Sequence, residues 1–463
     1  MANGLPQLGG LAARLARDRG GALLAATAAA ALALACWWAA SLAGSAVRHR
    51  ANRLGQAGKK RVLILGGSFA GAEVARKLEA SAREGYCEVT LIDASGWLEF
   101  TPAVLAVIAG AQRAEAIRRD LALLLPRTTV VVGSVVSVSM DERRVRTADG
   151  TEHHCDYLVI ATGSSYRAPV KADSESAAER EQQLQGCADA ARSAKHIVVV
   201  GGGVVGVELA ADLCSYSKHL RVTLVASSAT LLPTSPEAAG AYAAQSLERL
   251  GVRIIYAERV SDVTRVSDVT RASVTNSKRE ATHPTEVICS NSREVLPYDQ
   301  CFWCIGGRPN SGFVTDKTLL DERGRVKIDP QRLSLQDHPE VFAVGDVASK
   351  DPRQYLASYA HWEAEYAAAV IAHNVSSNQD LSLSVYTAPA QFLAISLGSR
   401  DGMLICNDRI WLGGGGLGLT ALLVRPFKRI IQWCSLGLPF RLGVSLNPYW
   451  LLKRWDANEI PLL

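Results

Sequence analysis

Cysteine is sparse in this chain. Ten cysteines in 463 residues are too few and too spread out for the disulfide framework of a small secreted domain. Charge imbalance is also small: Lys plus Arg is 50 and Asp plus Glu is 45, a net charge of +5. Dedicated nucleic-acid binders carry a strongly basic domain, so no nucleic-acid partner is expected. His153-His154 beside Cys155 has no second ligand cluster, so no metal site is expected either. Charged residues are 21% and hydrophobic ones 48%, which excludes disordered, collagen-like and coiled-coil architectures. The length suits two or three domains.

Long apolar runs are nearly absent too, with one exception. The 28 residues between Arg19 and Arg48 contain no charge, and about 20 apolar residues span a bilayer. Alanine dominates the run. It reads as a membrane anchor, a removed Arg-rich targeting segment or an Ala-rich soluble helix. Ala2 follows Met1, so an N-myristoyl signal is lacking. Arg48 to Lys60 reads as a basic linker.

Glycine, by contrast, is concentrated where it carries information. Arg61 to Leu65 reads as a buried parallel strand. Gly66-Gly67-Ser68-Phe69-Ala70-Gly71 follows, then a helical stretch, then a strand ending at Asp93, 22 residues past Gly71. Strand, Gly-rich turn, helix, strand and acid form a dinucleotide-binding unit. Gly66 makes the tight turn, Ser68 is small enough for pyrophosphate to approach, and Gly71 lets helix and strand pack closely. The helix N-terminus favours phosphate, and Asp93 is placed to accept from a ribose. A second unit begins at His196 to Val200 and continues through Gly201, Gly203, Val204, Val205 and Gly206. Its next strand ends at Ala226-Ser227-Ser228, where NAD-selective sites place a carboxylate. With Ser227 there, little discrimination between NADH and NADPH is expected. Each unit has a strand-rich tail with a small-residue turn: Ala161-Thr162-Gly163 in the first, Gly306-Gly307 in the second. Gly345-Asp346-Val347 comes later.

These four motifs, in this order, resemble the two-dinucleotide-binding-domain flavoproteins of the pyridine nucleotide-disulfide oxidoreductase superfamily. The resemblance covers about Lys60 to Asn374. It implies an α/β fold of two Rossmann-like domains, the NAD domain inserted in the FAD domain, plus a small C-terminal α+β membrane-associating region. The implied organisation is 1–60 anchor or targeting segment and linker, 61–170 first part of the FAD domain, 190–304 NAD(P)H domain, 305–374 second part of the FAD domain, and 375–463 C-terminal domain. FAD and NAD(P)H are the implied cofactors. The resemblance places Val136 by the adenine, Ala161, Thr162 and Gly163 on the FAD side of the junction, and Asp346 on the ribityl chain. It sets Glu208 near the nicotinamide and Gly306 and Gly307 beside the NAD(P)H.

Within the superfamily, the stretch Gly96 to Gly110 lacks the redox cysteine pair of glutathione-reductase-like enzymes. Cys301 and Cys304 are three apart on an expected strand, so they point to opposite faces. The chain instead resembles type II NADH dehydrogenases and the ferroptosis-suppressor class of apoptosis-inducing-factor homologues. Glu99-Phe100-Thr101-Pro102 resembles the flavin-adjacent loop of the former. Arg400-Asp401-Gly402 resembles the hairpin turn of the latter's C-terminal sheet. Where type II dehydrogenases carry glutamines near the quinone, this chain has Tyr359, His361 and Trp362, with His361 as the expected proton donor. The tail Ile410–Leu463 has six basic residues, two acidic ones and seven aromatics. Its apolar positions Leu423, Phe427, Ile430, Ile431 and Cys434 oppose Arg425, Lys428, Arg429 and Gln432, a pattern suited to a bilayer surface or to packing on the protein's own core. Val260–Arg265 is repeated as Val266–Arg271 and reads as a duplicated hairpin in a surface loop.

The implied activity is a membrane-associated, FAD-dependent NAD(P)H:quinone oxidoreductase, in mitochondria or at another intracellular membrane; a homodimer is compatible with it. The alternatives are a reductase of a ferredoxin or rubredoxin, and a slow-turnover NADH sensor like apoptosis-inducing factor.

Overall fold

The computed structural model describes residues 59–167, 169–172, 176–264, 285–377, 385–407, 409–412, 424, 428, 429, 431, 432 and 436. The apolar run at 20–47 and most of the tail lie outside them, as does the second copy of the duplicated segment. The described residues all fall within the unit Lys59–Ile460.

The principal strands, in chain order, are β1 (Lys60–Leu65), β2 (Cys87–Asp93), β3 (Thr129–Val132), β4 (Tyr157–Ile160), β5 (His196–Val200), β6 (Arg221–Val225), β7 (Arg253–Ile255), β8 (Gln300–Trp303) and β9 (Val341–Ala343). They build two parallel sheets. The first has the order β9-β4-β1-β2-β3 and the second β7-β6-β5-β8. All of β5 to β8 lies between β4 and β9 in sequence, so the second sheet is an insertion into the first. Runs such as Val62-Leu63-Ile64-Leu65 and Ile197-Val198-Val199 are almost wholly buried, as expected of strands covered on both faces.

The principal helices are α1 (Phe69–Arg83), α2 (Ala177–Ser193), α3 (Val204–Tyr216), α4 (Glu237–Arg249) and α5 (Ala357–Ser377). α1 and α3 start directly at the two Gly-rich turns. α5 packs along α1. No helix of the described residues is long and apolar enough to cross a membrane.

Two smaller features modify the sequence reading. The first copy of the duplicated segment contributes the strand Val260–Thr264, which pairs antiparallel with Thr285–Cys289. It is therefore a sheet strand and not loop. Downstream, β10 (Phe392–Ser396), β11 (Gly402–Cys406) and β12 (Arg409–Leu412) form an antiparallel sheet, with Asp401 in the β10–β11 turn. Asp401 accepts from Tyr242 Oη at 2.7 Å and also from Ser246 Oγ, both on α4. That pins the hairpin to the inserted unit.

Candidate nucleotide and electron-transfer site

The first turn is shaped by close backbone approach. A Cβ at Gly71 would lie 1.8 Å from the Gly66 carbonyl oxygen, and Gly66 itself has φ +96°. The second turn repeats this geometry: a Cβ at Gly206 would lie 1.9 Å from Gly201 O, with Gly201 at φ +127°. Ser68 caps α1 without a side-chain bond, and Gly203 does the same for α3; neither first turn carries an acid. Each helix therefore presents unpaired N–H groups and a positive dipole end. A Cβ at Gly203 would meet open space. Both turns fit a pyrophosphate.

Asp93 stands at the end of β2. Its Oδ1 accepts from Ser95 N, Ser95 Oγ and Gly96 N at 2.7–3.0 Å, and its Oδ2 from Gly67 N at 2.7 Å. A carboxylate offers about four acceptor positions, and one on Oδ2 is left for a ribose hydroxyl. Val136 is 45% exposed, on a strand that pairs with Arg144–Thr147. At the corresponding end of β6, Ser227 is exposed and Ser228 Oγ donates to Thr230 O at 2.5 Å.

The two tail turns meet each other. Asn310 N donates to Gly163 O at 3.0 Å, Asn310 Nδ2 to Thr162 O at 2.9 Å and Thr162 Oγ1 to Asn310 O at 2.6 Å. Ala161–Gly163 and Gly306–Asn310 are thus joined into one wall. Ile305, between Cys304 and Gly306, is 46% exposed. Gly345-Asp346-Val347 forms the neighbouring turn, with Gly345 N bonded to Glu363 Oε2 of α5 at 2.7 Å. Glu363 is also paired with Lys350. Burial raises the Glu363 carboxyl, opposed by the Lys350 ammonium. Asp346 Oδ2 accepts from Ser164 Oγ at 2.7 Å, and among the described residues Oδ1 has no protein partner.

Phe100 packs edge-on against Phe69, with ring centroids 5.6 Å apart, so the segment Glu99–Pro102, a strand end running into a 3-10 turn, abuts the first turn. Pro102 is half-buried there. Glu99 is held by a fully buried Arg180 of α2 through two bonds, at 2.9 and 3.0 Å.

Glu208, on α3, is 4% exposed. Its Oε1 accepts from Ser396 N at 2.7 Å, Ser396 Oγ at 3.0 Å and Lys428 Nζ at 2.5 Å. Among the described residues its Oε2 has no protein partner. The tail was expected to turn Lys428 and Gln432 away from its apolar face. Here Lys428 reaches Glu208 and Gln432 Nε2 reaches Ala116 O at 3.1 Å, while Val424 and Ile431 are buried. A buried carboxylate needs a cation, and this tail supplies it.

The expected acceptor residues are placed differently from the sequence reading. Tyr359, His361 and Trp362 are all buried. Tyr359 Oη donates to Pro389 O at 2.9 Å and its ring is edge-on to Trp362 at 5.3 Å. His361 lies between α1 and α5, its Nδ1 3.8 Å from Glu73 and its Nε2 3.7 Å from Glu365. Arg76 and Lys77 already pair with these two acids. Burial lowers the His361 pKa, the two carboxylates opposing. Both ring nitrogens thus face carboxylates of α1 and α5. Glu73, His361 and Glu365 could together hold a metal ion, but the cations on both acids leave no net charge to attract one. Cys301 and Cys304 are both free and contribute to different core clusters on opposite faces of the second sheet.

Residues 60–364 match the sequence profile described as "Pyridine nucleotide-disulphide oxidoreductase". The chain belongs to this family. It is an oxidoreductase and a flavoprotein, with FAD and NAD(P)H as its cofactors. It is 26% identical over 371 residues to apoptosis-inducing factor homolog B of Dictyostelium discoideum, covering 77% of this chain and 92% of that one. It is 28% identical over 353 residues to ferroptosis suppressor protein 1 of Xenopus tropicalis, covering 74% and 87%. Its fold is shared with the solved structure of NDH2 from Plasmodium falciparum in complex with NADH, at TM-score 0.62, 16% identity and coverage of 87% and 99%.

Sequence reasoning missed Lys428, Lys171, Asn310 and Arg180. Asn310 stood within a quoted motif, but its partners across the junction are 147 and 148 residues away in sequence. Lys428 was visible only as one cation in a polar helix face.

Proposed function

We propose that the chain is an FAD-dependent NAD(P)H:quinone oxidoreductase acting at a membrane surface. The observation that carries this reading is that, among the described residues, no cysteine is disulfide-bonded and Cys301 and Cys304 lie on opposite faces of the second sheet. An acceptor of two electrons must then approach the flavin directly, as a planar quinone can. Bound FAD supplies hydride acceptance from NAD(P)H and onward two-electron transfer.

The chain's residues do the rest. Gly66 to Gly71 and the start of α1 hold the FAD pyrophosphate, Asp93 its ribose and Asp346 Oδ1 its ribityl chain. Gly201 to Gly206 and the start of α3 hold the NAD(P)H, with Gly306 and Gly307 alongside. Ser227 has no charge to repel a 2′-phosphate. Glu208 and Lys428 form the proton-handling pair, in place of His361. The Lys428 ammonium can give a proton toward a reduced acceptor, and Glu208 keeps Oε2 free to receive one. The basic, tryptophan-rich tail that carries Lys428 is suited to meeting a lipid-soluble acceptor at the bilayer.

Steady-state NADH oxidation tests the reading. Turnover supported by a short-chain ubiquinone but not by a ferredoxin or rubredoxin is expected. The reverse preference would replace it with the protein-reductase reading.

A further inference from the structure

Lys171 belongs to neither Gly-rich turn and lies in the linker between β4 and α2, yet it comes to the turn that carries Asp346. Its Nζ donates to Ser164 O at 2.6 Å and to Ser164 Oγ at 2.9 Å. Ser164 Oγ in turn donates to Asp346 Oδ2 at 2.7 Å. The ammonium is 3.5 Å from that same oxygen and 5.1 Å from the centre of the Tyr166 ring. Among the described residues, no other cation is within 4 Å of Asp346.

The turn is thus gripped from two sides. On the α5 side, Glu363 and Lys350 fix the Gly345 backbone. On the other, Ser164 and Lys171 fix the Asp346 side chain. This second grip brings a cation directly to the Asp346 carboxylate. Burial of the Lys171 ammonium lowers its pKa, and the Asp346 carboxylate opposes that shift. A partly desolvated lysine in this position is costly without the acid beside it.

We infer that Lys171 is the counter-ion of Asp346 and a positioning residue for FAD, aiming the Asp346 carboxylate through Ser164 and setting the affinity and reduction potential of the bound flavin. The inference rests on the reading that Asp346 faces the FAD. A cation held beside the cofactor site stabilises the negative charge that reduction adds, so its loss disfavours reduction. Its loss also frees the Asp346 carboxylate to rotate and leaves that carboxylate's charge uncompensated.

Three variants of the full chain, Lys171→Met, Lys171→Arg and Asp346→Asn, test this by two readouts: FAD affinity from titration of the flavin-stripped protein, and the flavin midpoint potential from dye-coupled reduction at saturating FAD. Lys171→Met is expected to weaken FAD binding about tenfold and move the potential to more negative values. Lys171→Arg should keep the potential near that of the parent. Asp346→Asn should lose FAD affinity. If Lys171→Met changes neither readout while Asp346→Asn loses FAD, the counter-ion role is overturned and the site reading stands. If Asp346→Asn binds FAD like the parent, the site reading itself fails. Should Lys171→Met not fold, Ser164→Ala cuts the same relay. It is expected to weaken FAD binding severalfold, and unchanged binding there would overturn the proposal.

Discussion

Glu208 and Lys428 are 220 positions apart and come within 2.5 Å. Their pairing puts a proton-carrying cation from the tail against a helix that begins at the second Gly-rich turn. Lys428→Met is therefore expected to lower quinone-dependent turnover about a hundredfold, the usual weight of positioned acid–base catalysis. Flavin bleaching by NADH should stay near the parent rate. Stopped-flow traces of both half-reactions check this, and a variant with unaltered quinone turnover would remove the pair from the mechanism. Cysteine gives the opposite expectation. Burial pushes the Cys301 thiol up to about 12, so it stays protonated and unreactive at neutral pH. The double variant Cys301→Ser, Cys304→Ser should keep its turnover with quinone, whereas loss of turnover together with loss of a thiolate–flavin absorption band would reveal a hidden dithiol step. His361 bears on stability. Its folded pKa is lowered by burial, so the unfolded chain takes up the proton first as pH falls. Its contribution is complete above the unfolded value of about 6.5 and is lost below it. Thermal melts at pH 7.5 and 5.5 should show a drop that is smaller in His361→Gln, and identical drops would contradict the assignment.

At the scale of elements, the buried Arg180–Glu99 pair ties α2 to the strand end that leads into Phe100–Pro102. Removing one partner of a buried pair leaves an uncompensated charge and costs about 3–5 kcal/mol. Arg180→Ala should lose stability on that scale in urea unfolding, and a loss under about 1 kcal/mol, the level of a surface pair, would show the pair to be solvated. The glycine turns were legible in the sequence because a Cβ cannot fit there, and the strands because parallel sheets demand unbroken apolar runs. The junction contacts were not, because Asn310, Thr162 and Gly163 meet only through the folding of two separated units. The contact from Lys428 to Glu208 was not legible for a related reason. Periodicity separates an apolar face from a polar one, but it does not reveal that Glu208 needs a cation from the polar face. Likewise, the residues after Asp346 had the right polarity for a quinone contact, while α5 turns His361 toward Glu73 of α1 and Tyr359 toward Pro389.

At the scale of the whole molecule, the two parallel sheets of the described residues are nested, one inserted into the other, with both nucleotide turns at their sheets' C-terminal ends and the two tail turns hydrogen-bonded together. That topology was readable from the order of the four motifs. Since β6 ends in uncharged Ser227 and Ser228, specificity constants for NADH and NADPH should agree within about a hundredfold, the discrimination one lost contact affords. Steady-state kinetics with each cofactor checks this, and a wider gap would point to a selective group elsewhere on the second sheet.

The central claim is that the acceptor takes electrons from flavin directly and is a quinone. Stopped-flow reoxidation of the NADH-reduced protein by a short-chain ubiquinone in detergent tests it most directly. Bleaching by NADH followed by recovery of flavin absorbance in well under a second is the predicted result. Bleaching that persists in the presence of quinone would contradict it.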